Sequence, residues 1–288
     1  ISDFTVSGLT INSISGTGPY TLQVTLGEGF NSITLPAGAV VDAATNGNLA
    51  SNTVTGTLDT IAPLPPVISS PTDGSTTNDN TPTVSGTAEP NSVIVVYVNG
   101  ISHGTTTTQS NGSWSVILTF IPDSTVILTA RATDPTNNES LPSLQNQITI
   151  DTSNPTASIS TLPPLTSLPL QLLTLTFNEP ISGLDISDFT VSGLTINSIS
   201  GTGAGPYTLD VTLTASSYSI SLPANSVVDA ATNGNVASDT LTGTLDTSDL
   251  TADISPLPPG TNNPSQTLIL TFNKPISGLD ISDFTVSG

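Results

Sequence analysis

The sequence predicts an all-β protein made of tandem β-sandwich domains in an extended array. Three observations predict it: the chain repeats itself, its apolar residues alternate with period two, and turn-forming residues interrupt every run before a helix could form. The octapeptide Ile-Ser-Asp-Phe-Thr-Val-Ser-Gly begins at Ile1, Ile186 and Ile281, spacings of 185 and 95 residues. The shorter spacing is about one sandwich domain and the longer one is two.

Residues 1–60 match residues 186–247 almost throughout, and the only length change is the insertion of Ala204-Gly205. The stretch Val40-Val41-Asp42-Ala43-Ala44-Thr45-Asn46-Gly47-Asn48 recurs as Val227 to Asn235. Upstream, Leu175 to Asp185 returns as Leu270 to Asp280, with Lys274 in place of Glu179. We call this repeat type one. Its strands are read from Leu173, Leu175 and Phe177; Phe189 and Val191; Leu194 and Ile196; Tyr207, Leu209, Val211 and Leu213; Ile220 and Leu222; Leu241 and Leu245. Leu162-Pro163-Pro164, Gly201-Thr202-Gly203 and Asn233-Gly234 separate them, because these residues fix or permit turn dihedrals. Residues 61–154 form a second type. There the strands run from Thr83 to Ala88, Val93 to Val98, Gly104 to Thr108, Ser113 to Leu118, Thr125 to Thr133 and Leu144 to Ile150, with Val67-Ile68 in front. About seven strands is the count of an immunoglobulin-like sandwich. The uncharged run Ser92 to Val98 is an aggregation hazard on a sheet edge, so it is expected to be a central strand buried on both faces.

Four segments follow. Residues 1–60 are the C-terminal part of a type-one immunoglobulin-like domain, and residues 61–154 are the type-two domain. Residues 155–248 are a complete type-one domain, and residues 249–288 are the N-terminal part of a further one. Neither end segment can close a core alone. The chain reads as one 280-residue period plus an overlap, and no positively charged, signal-like segment opens at Ile1. It is expected to be a soluble, mature piece of something longer.

Composition removes several functions. With 22 acidic and two basic side chains the net charge is −20, which repels nucleic acid and anionic head groups. No apolar run approaches the ~20 residues needed to span a bilayer. The absence of cysteine removes disulfides, iron–sulfur clusters, thiolate zinc sites and cysteine nucleophiles. His103, the one histidine, is expected to be a solvated turn residue beside Gly104. The serines lack a Gly-x-Ser-x-Gly elbow or a positioned base. Paired carboxylates for glycoside hydrolysis would have to come from turn positions such as Asp42, Glu89 or Asp134, whose recurrence between copies favours a structural role. Trp114, Tyr20, Tyr207 and Phe189 could suggest a sugar platform, but their alternation favours core packing. No enzyme is expected.

The runs Pro71-Thr72-Asp73-Gly74-Ser75, Thr81 to Pro90, Val95 to Gly100, Asn111-Gly112-Ser113-Trp114 and Ala132-Thr133-Asp134 resemble bacterial immunoglobulin-like tandem-repeat domains of large surface adhesins and biofilm-associated proteins. Type one is similar to a related bacterial family through Thr176 to Gly183, Asp188 to Val191 and Val228 to Ala231. The resemblance covers nearly the whole chain and implies an architecture, not a reaction. Isopeptide staples of the pilus kind need a buried lysine in each domain, and here Lys274 stands alone. Arg131, in an expected strand, and Lys274, before Pro275, leave little for trypsin-like proteases, which suits an extracellular life.

Calcium is the one cofactor with a physical case, since hard cations take several oxygen ligands. Asp59, Asp151 and Asp246 each end a domain. The first two open Asp-Thr-x-x-Pro linkers reaching Pro63 and Pro155, while the third has Leu250 where proline is expected. The adhesin resemblance implies a cation shared by such a linker and the turn Asp134 to Glu139. The competing reading has these aspartates capping turns through backbone amides. Asp42 to Asn48 and Asp229 to Asn235 are further turns of the same kind.

The expected role is mechanical: a stalk or fibre outside a bacterial-type cell, used in adhesion, biofilm or filament formation. The incomplete end domains would be completed head-to-tail, within a longer chain or by strand donation between copies. The alternatives are a glycan- or protein-binding module, or the spacer of a secreted enzyme whose catalytic domain lies outside this sequence. In the head segment Tyr20, Leu22, Val24 and Leu26 should form the open apolar face. Its missing strand should be Thr267 to Phe272.

Overall fold

The computed structural model describes residues 1–160 and 165–285; the expected Leu162-Pro163-Pro164 turn lies outside the described residues. The chain divides into two compact units, Ile1–Ser153 and Asn154–Gly288. Among the described residues, helix is limited to two single 3-10 turns, Ile186–Asp188 and Ile281–Asp283. Both follow from the repeated Asp-Ile-Ser-Asp. Asp185 accepts a hydrogen bond from the Ser187 amide at 3.0 Å while Asp188 accepts one from the Asp185 amide at 2.6 Å. This reciprocal cap satisfies donors that a single turn leaves open.

The first unit opens with strands β1 (Thr5–Ser7), β2 (Leu9–Ser15), β3 (Thr21–Leu26), β4 (Gly29–Thr34) and β5 (Val54–Leu58). They make only a two-stranded sheet, β2-β3, and a three-stranded one, β1-β4-β5. There follow β6 (Val67–Ser70), β7 (Ser75–Thr77), β8 (Thr83–Thr87), β9 (Val93–Val98), β10 (Ile101–Thr107), β11 (Ser113–Ile117), β12 (Ser124–Thr133) and β13 (Asn146–Ile150). These eight form a sandwich of the sheets β10-β9-β12-β13-β7 and β11-β8-β6. Val84, Ile94, Val96, Trp114, Leu128, Ile148 and Ile150 fill it. Asn99 (φ 49°) and Gly100 (φ 84°) join β9 to β10 in a two-residue loop. Both take the left-handed dihedrals that Asn-Gly adopts at low cost.

The expectation for β9 is half right. It is central, paired to β10 and β12, but it is buried on one face only. Ile94, Val96 and Val98 point inward while Val93 is exposed and Val95 and Tyr97 are half-covered. A two-layer sandwich covers one face of each sheet, so neighbouring strands rather than a second layer protect its edges. His103 is also corrected. It lies within strand β10 at a bulge between Ser102 and Gly104, half-buried, with Nδ1 2.8 Å from Thr119 Oγ1. The bulge arises where Gly104 runs against Val116 and leaves no room for a Cβ.

The second unit carries β14 (Ala157–Ile159), β15 (Leu165–Thr166), β16 (Leu170–Phe177), β17 (Thr190–Ser192), β18 (Leu194–Ser200), β19 (Tyr207–Leu213), β20 (Ser217–Ser221) and β21 (Leu241–Leu245). They pair as β14-β16-β19-β18 and β15-β21-β20-β17. Between the sheets lie Leu173, Leu175, Leu209, Val211, Ile220 and Leu222. Phe177 meets Tyr207 edge-on, with ring centroids 6.0 Å apart. Last come β22 (Ala252–Ile254) and β23 (Leu270–Phe272), an antiparallel pair with no third strand among the described residues. The strand expected from Thr267 thus forms only from Leu270 on. Ile269 still bonds Ser255, its carbonyl accepting from the Ser255 amide at 2.9 Å and its amide donating to Ser255 Oγ at 2.8 Å, but among the described residues no strand lies on the other side of β23.

Candidate functional sites at the linkers and open sheet edges

Two features stand out: how the Asp-containing linkers are held, and what the end segments leave open. Each linker aspartate caps its own turn. Asp59 Oδ1 accepts from the Ile61 amide (3.1 Å), Asp151 Oδ1 from the Ser153 amide (3.1 Å) and Asp246 Oδ1 from the Ser248 amide (3.0 Å). A carboxylate of the preceding domain then grips the next residue. Glu28 accepts from the Thr60 amide (2.9 Å) and hydroxyl (2.8 Å), and Asp123 accepts from the Thr152 amide (3.1 Å) and hydroxyl (2.8 Å). The Thr152 contacts hold the Asp123 carboxyl below the usual carboxylate range. Sequence reasoning missed Glu28 and Asp123, because a carboxylate acting on an amide about thirty residues away leaves no local pattern.

The turn from Asp134 reaches the Asp59 linker. Asp134 is buried, and burial alone would raise its carboxyl pKa. The hydrogen bonds from Asn138 and Thr136 outweigh that and hold it below the usual value. Asn138 Nδ2 bonds both Asp134 Oδ2 (2.8 Å) and the carbonyl of Asp59 (3.0 Å). A linker oxygen and a turn oxygen therefore converge on one point, held by an amide nitrogen. In the second unit the turn from Asp229 is built the same way, with Asn233 Nδ2 2.8 Å from Asp229 Oδ2. There Glu179 and Asp229 bring carboxylate oxygens within 4.8 Å of one another. The last linker is held by a cation of the chain itself. Lys274 Nζ lies 2.8 Å from Asp246 Oδ1 and 2.8 Å from Oδ2, and it also donates to the Ser248 carbonyl. The Lys274 hydrogen bond leads the causes that bring Asp246 down to about 2.

The open edges are defined by an internal control, since the complete type-one domain carries the same residues closed. Tyr207, Leu209, Val211 and Leu213 on β19 are buried. Their twins Tyr20, Val24 and Leu26 are exposed, Tyr20 by 69%, and Leu22 is half-buried. Tyr20 stands just before β3 and is exposed, as expected of the open apolar face; the core packing that its alternation also suggested is not formed among the described residues. β19 pairs with β16 on one side and β18 on the other, whereas among the described residues β3 pairs with β2 alone. The tail shows the converse. β22 pairs with β23 in the register of β14 with β16, Ala252 opposite Phe272 as Ala157 is opposite Phe177. The side of β23 corresponding to the β19 side of β16 has no strand among the described residues. Leu268 is 45% exposed where its twin Leu173 is fully buried.

Comparison with known proteins matches residues 69–148 to a bacterial Ig domain family and residues 151–245 to a bacterial Ig-like domain family. The chain is an all-β array of bacterial Ig-like repeats. Domains of this kind are generally non-catalytic. Among solved structures, the fibronectin(III)-like modules of Clostridium thermocellum CbhA align at 16% identity and TM-score 0.36, over 62% of this chain and 93% of that one. The C-terminal 282-residue fragment of intimin, solved with the intimin-binding domain of its translocated receptor, aligns at 14% identity and TM-score 0.32, over 67% of this chain and 66% of that one. A biofilm-associated protein BSP domain aligns at 18% identity and TM-score 0.23, over 64% of this chain and 30% of that one. No curated protein matches the chain. Among the described residues no helix is long and apolar enough to cross a membrane.

Proposed function

We propose that the chain is a non-enzymatic structural segment of the bacterial cell surface or extracellular matrix. It is a stalk or fibre of Ig-like domains serving adhesion, biofilm or filament formation. One observation carries this reading: a face closed in residues 155–248 is open in residues 1–60, and residues 249–285 present the matching pair of strands. The register of β16 on β19 sets Leu173 opposite Leu209 and Leu175 opposite Tyr207. Transferred to the ends, it sets Leu268 opposite Leu22 and Leu270 opposite Tyr20. Fully burying three exposed side chains such as Leu268, Leu270 and Phe272 would be worth about 4.5–9 kcal/mol at 1.5–3 each; Leu270 and Phe272 are already half-buried, so this is an upper bound, before the ordering of the tail is subtracted. Head-to-tail completion is thereby favoured, either in a continuous longer chain or by strand donation from a second copy.

Calcium is proposed as a stiffener of the joints formed by Asp59 with the Asp134 turn and by Asp151; the Asp246 joint is a separate case. The support is the convergence of the Asp59 carbonyl and Asp134 Oδ2 on the Asn138 amide nitrogen. Oxygens so placed suit a hard cation at about 2.3–2.6 Å. The experiment for self-association is sedimentation of the chain across concentration. Mass should rise by end-to-end addition, and Leu268→Asp with Leu270→Asp should leave monomers whose residues 61–248 stay folded. A wild-type chain that stays monomeric at every concentration contradicts strand donation.

A further inference from the structure

The three linkers are not held alike, and the last has lost the parts that secure the others. Proline four residues after the aspartate, Pro63 and Pro155, becomes Leu250. The carboxylate that grips the linker threonine also goes, since Ala215 stands at the position of Glu28 in the type-one repeat and has no group to bind Thr247. In the same joint the repeat changes sign, from Glu179 to Lys274, at one of only two Lys or Arg positions in 288 residues.

We propose that Lys274 is the built-in cation of the Asp246 joint, clamping the complete type-one domain to the strands that follow it, so that this joint keeps its geometry without a divalent ion. The two sides of the clamp are anchored separately. Asp246 belongs to the preceding domain, its amide bonded to the Thr166 carbonyl at 2.9 Å. Lys274 follows β23 of the next domain by two residues. Its ammonium touches both oxygens of the Asp246 carboxylate and the Ser248 carbonyl. Three oxygens on one positive centre is the arrangement a bound metal would give, supplied here by a side chain. Beside it Asn273 holds the other half of the linker: Nδ2 donates to the Asp249 carbonyl (3.0 Å) and Oδ1 accepts from the Thr251 amide (2.8 Å). The Asn178 twin keeps the second of these bonds, to the Thr156 amide. The asparagine is therefore common to both joints, while its Nδ2 turns from the Glu179 carboxylate (3.3 Å) to the Asp249 carbonyl as the charge beside it changes sign.

Because Lys274 and Asp246 are about a quarter and a third exposed, the pair adds little to global stability. Its effect is on the angle between domains. The chain has no cysteine, so Ser198→Cys and Thr271→Cys can carry spin labels on exposed sites either side of the joint, and pulsed electron spin resonance reads their distance distribution in the full chain. A narrow distribution is expected, unchanged by EDTA or by added calcium. Lys274→Met should widen it with no change in melting temperature, and Lys274→Arg should keep it narrow. A wild-type distribution that widens in EDTA, or a Lys274→Met distribution identical to wild type, overturns the proposal. Neither result depends on whether calcium binds at the Asp59 joint.

Discussion

At Asp246 and Asn138 a single side chain decides how a linker is held. The Asp246 carboxyl, at about 2 beside Lys274, is depressed from the ordinary value of 3.8, so protons favour the unfolded or unclamped state. The contribution is complete above pH 3.8 and is lost as pH falls through about 2. A carboxyl-carbon NMR titration of Asp246 should show that midpoint, and Lys274→Met should move it back toward the usual value. An unmoved midpoint would mean that Ser248 alone holds the charge. Asn138→Asp replaces the bridging amide with a third oxygen facing Asp59 O and Asp134 Oδ2. The melting temperature of this variant should fall in EDTA, through like-charge repulsion, and recover on adding calcium. No recovery counts against a cation at that joint.

At the scale of strands, identical sequence in two surroundings gives a controlled comparison. Leu209→Ala removes a fully buried side chain from between two sheets and should cost about 2–5 kcal/mol of domain stability. Leu22→Ala, the same residue on the open β3, should cost much less in a monomeric chain, as denaturant melts of the two variants would reveal. Gly86→Ala tests the type-two core, since an added Cβ would lie 1.8 Å from the Val67 carbonyl oxygen and 2.9 Å from Trp114 Cζ2. A loss of about 1–3 kcal/mol is expected. The strands with alternating apolar residues were legible: β9 runs from Val93 to Val98 as expected, and β8, β11 and β12 differ by a residue at their ends. Four of the described strands were not. β7 is Ser75-Thr76-Thr77, polar throughout and recruited by parallel backbone pairing to β13. β14, β15 and β22 are two or three residues long, too short for a period to appear. The aspartates that begin the linkers could be read from their recurrence. Glu28 and Asp123 could not, because their partners are set by tertiary approach.

For the whole molecule, the account makes each repeat dependent on its neighbour, as in other quasi-linear arrays. Calcium added to metal-free protein should raise the melting temperature and extend the hydrodynamic length; if both stay constant, the joints are set by hydrogen bonds alone. The central claim is that residues 249–280 and residues 1–60 are two halves of one domain. The most direct measurement uses a polypeptide carrying residues 1–280 followed by residues 1–288, with only the second copy isotopically labelled, and follows amide hydrogen exchange by NMR. The account predicts that Leu22, Val24 and Leu26 of the second copy become as protected as Leu209, Val211 and Leu213 are in the complete domain. If those amides exchange as fast in the second copy as they do in the single chain, the halves do not form a domain and the account is contradicted.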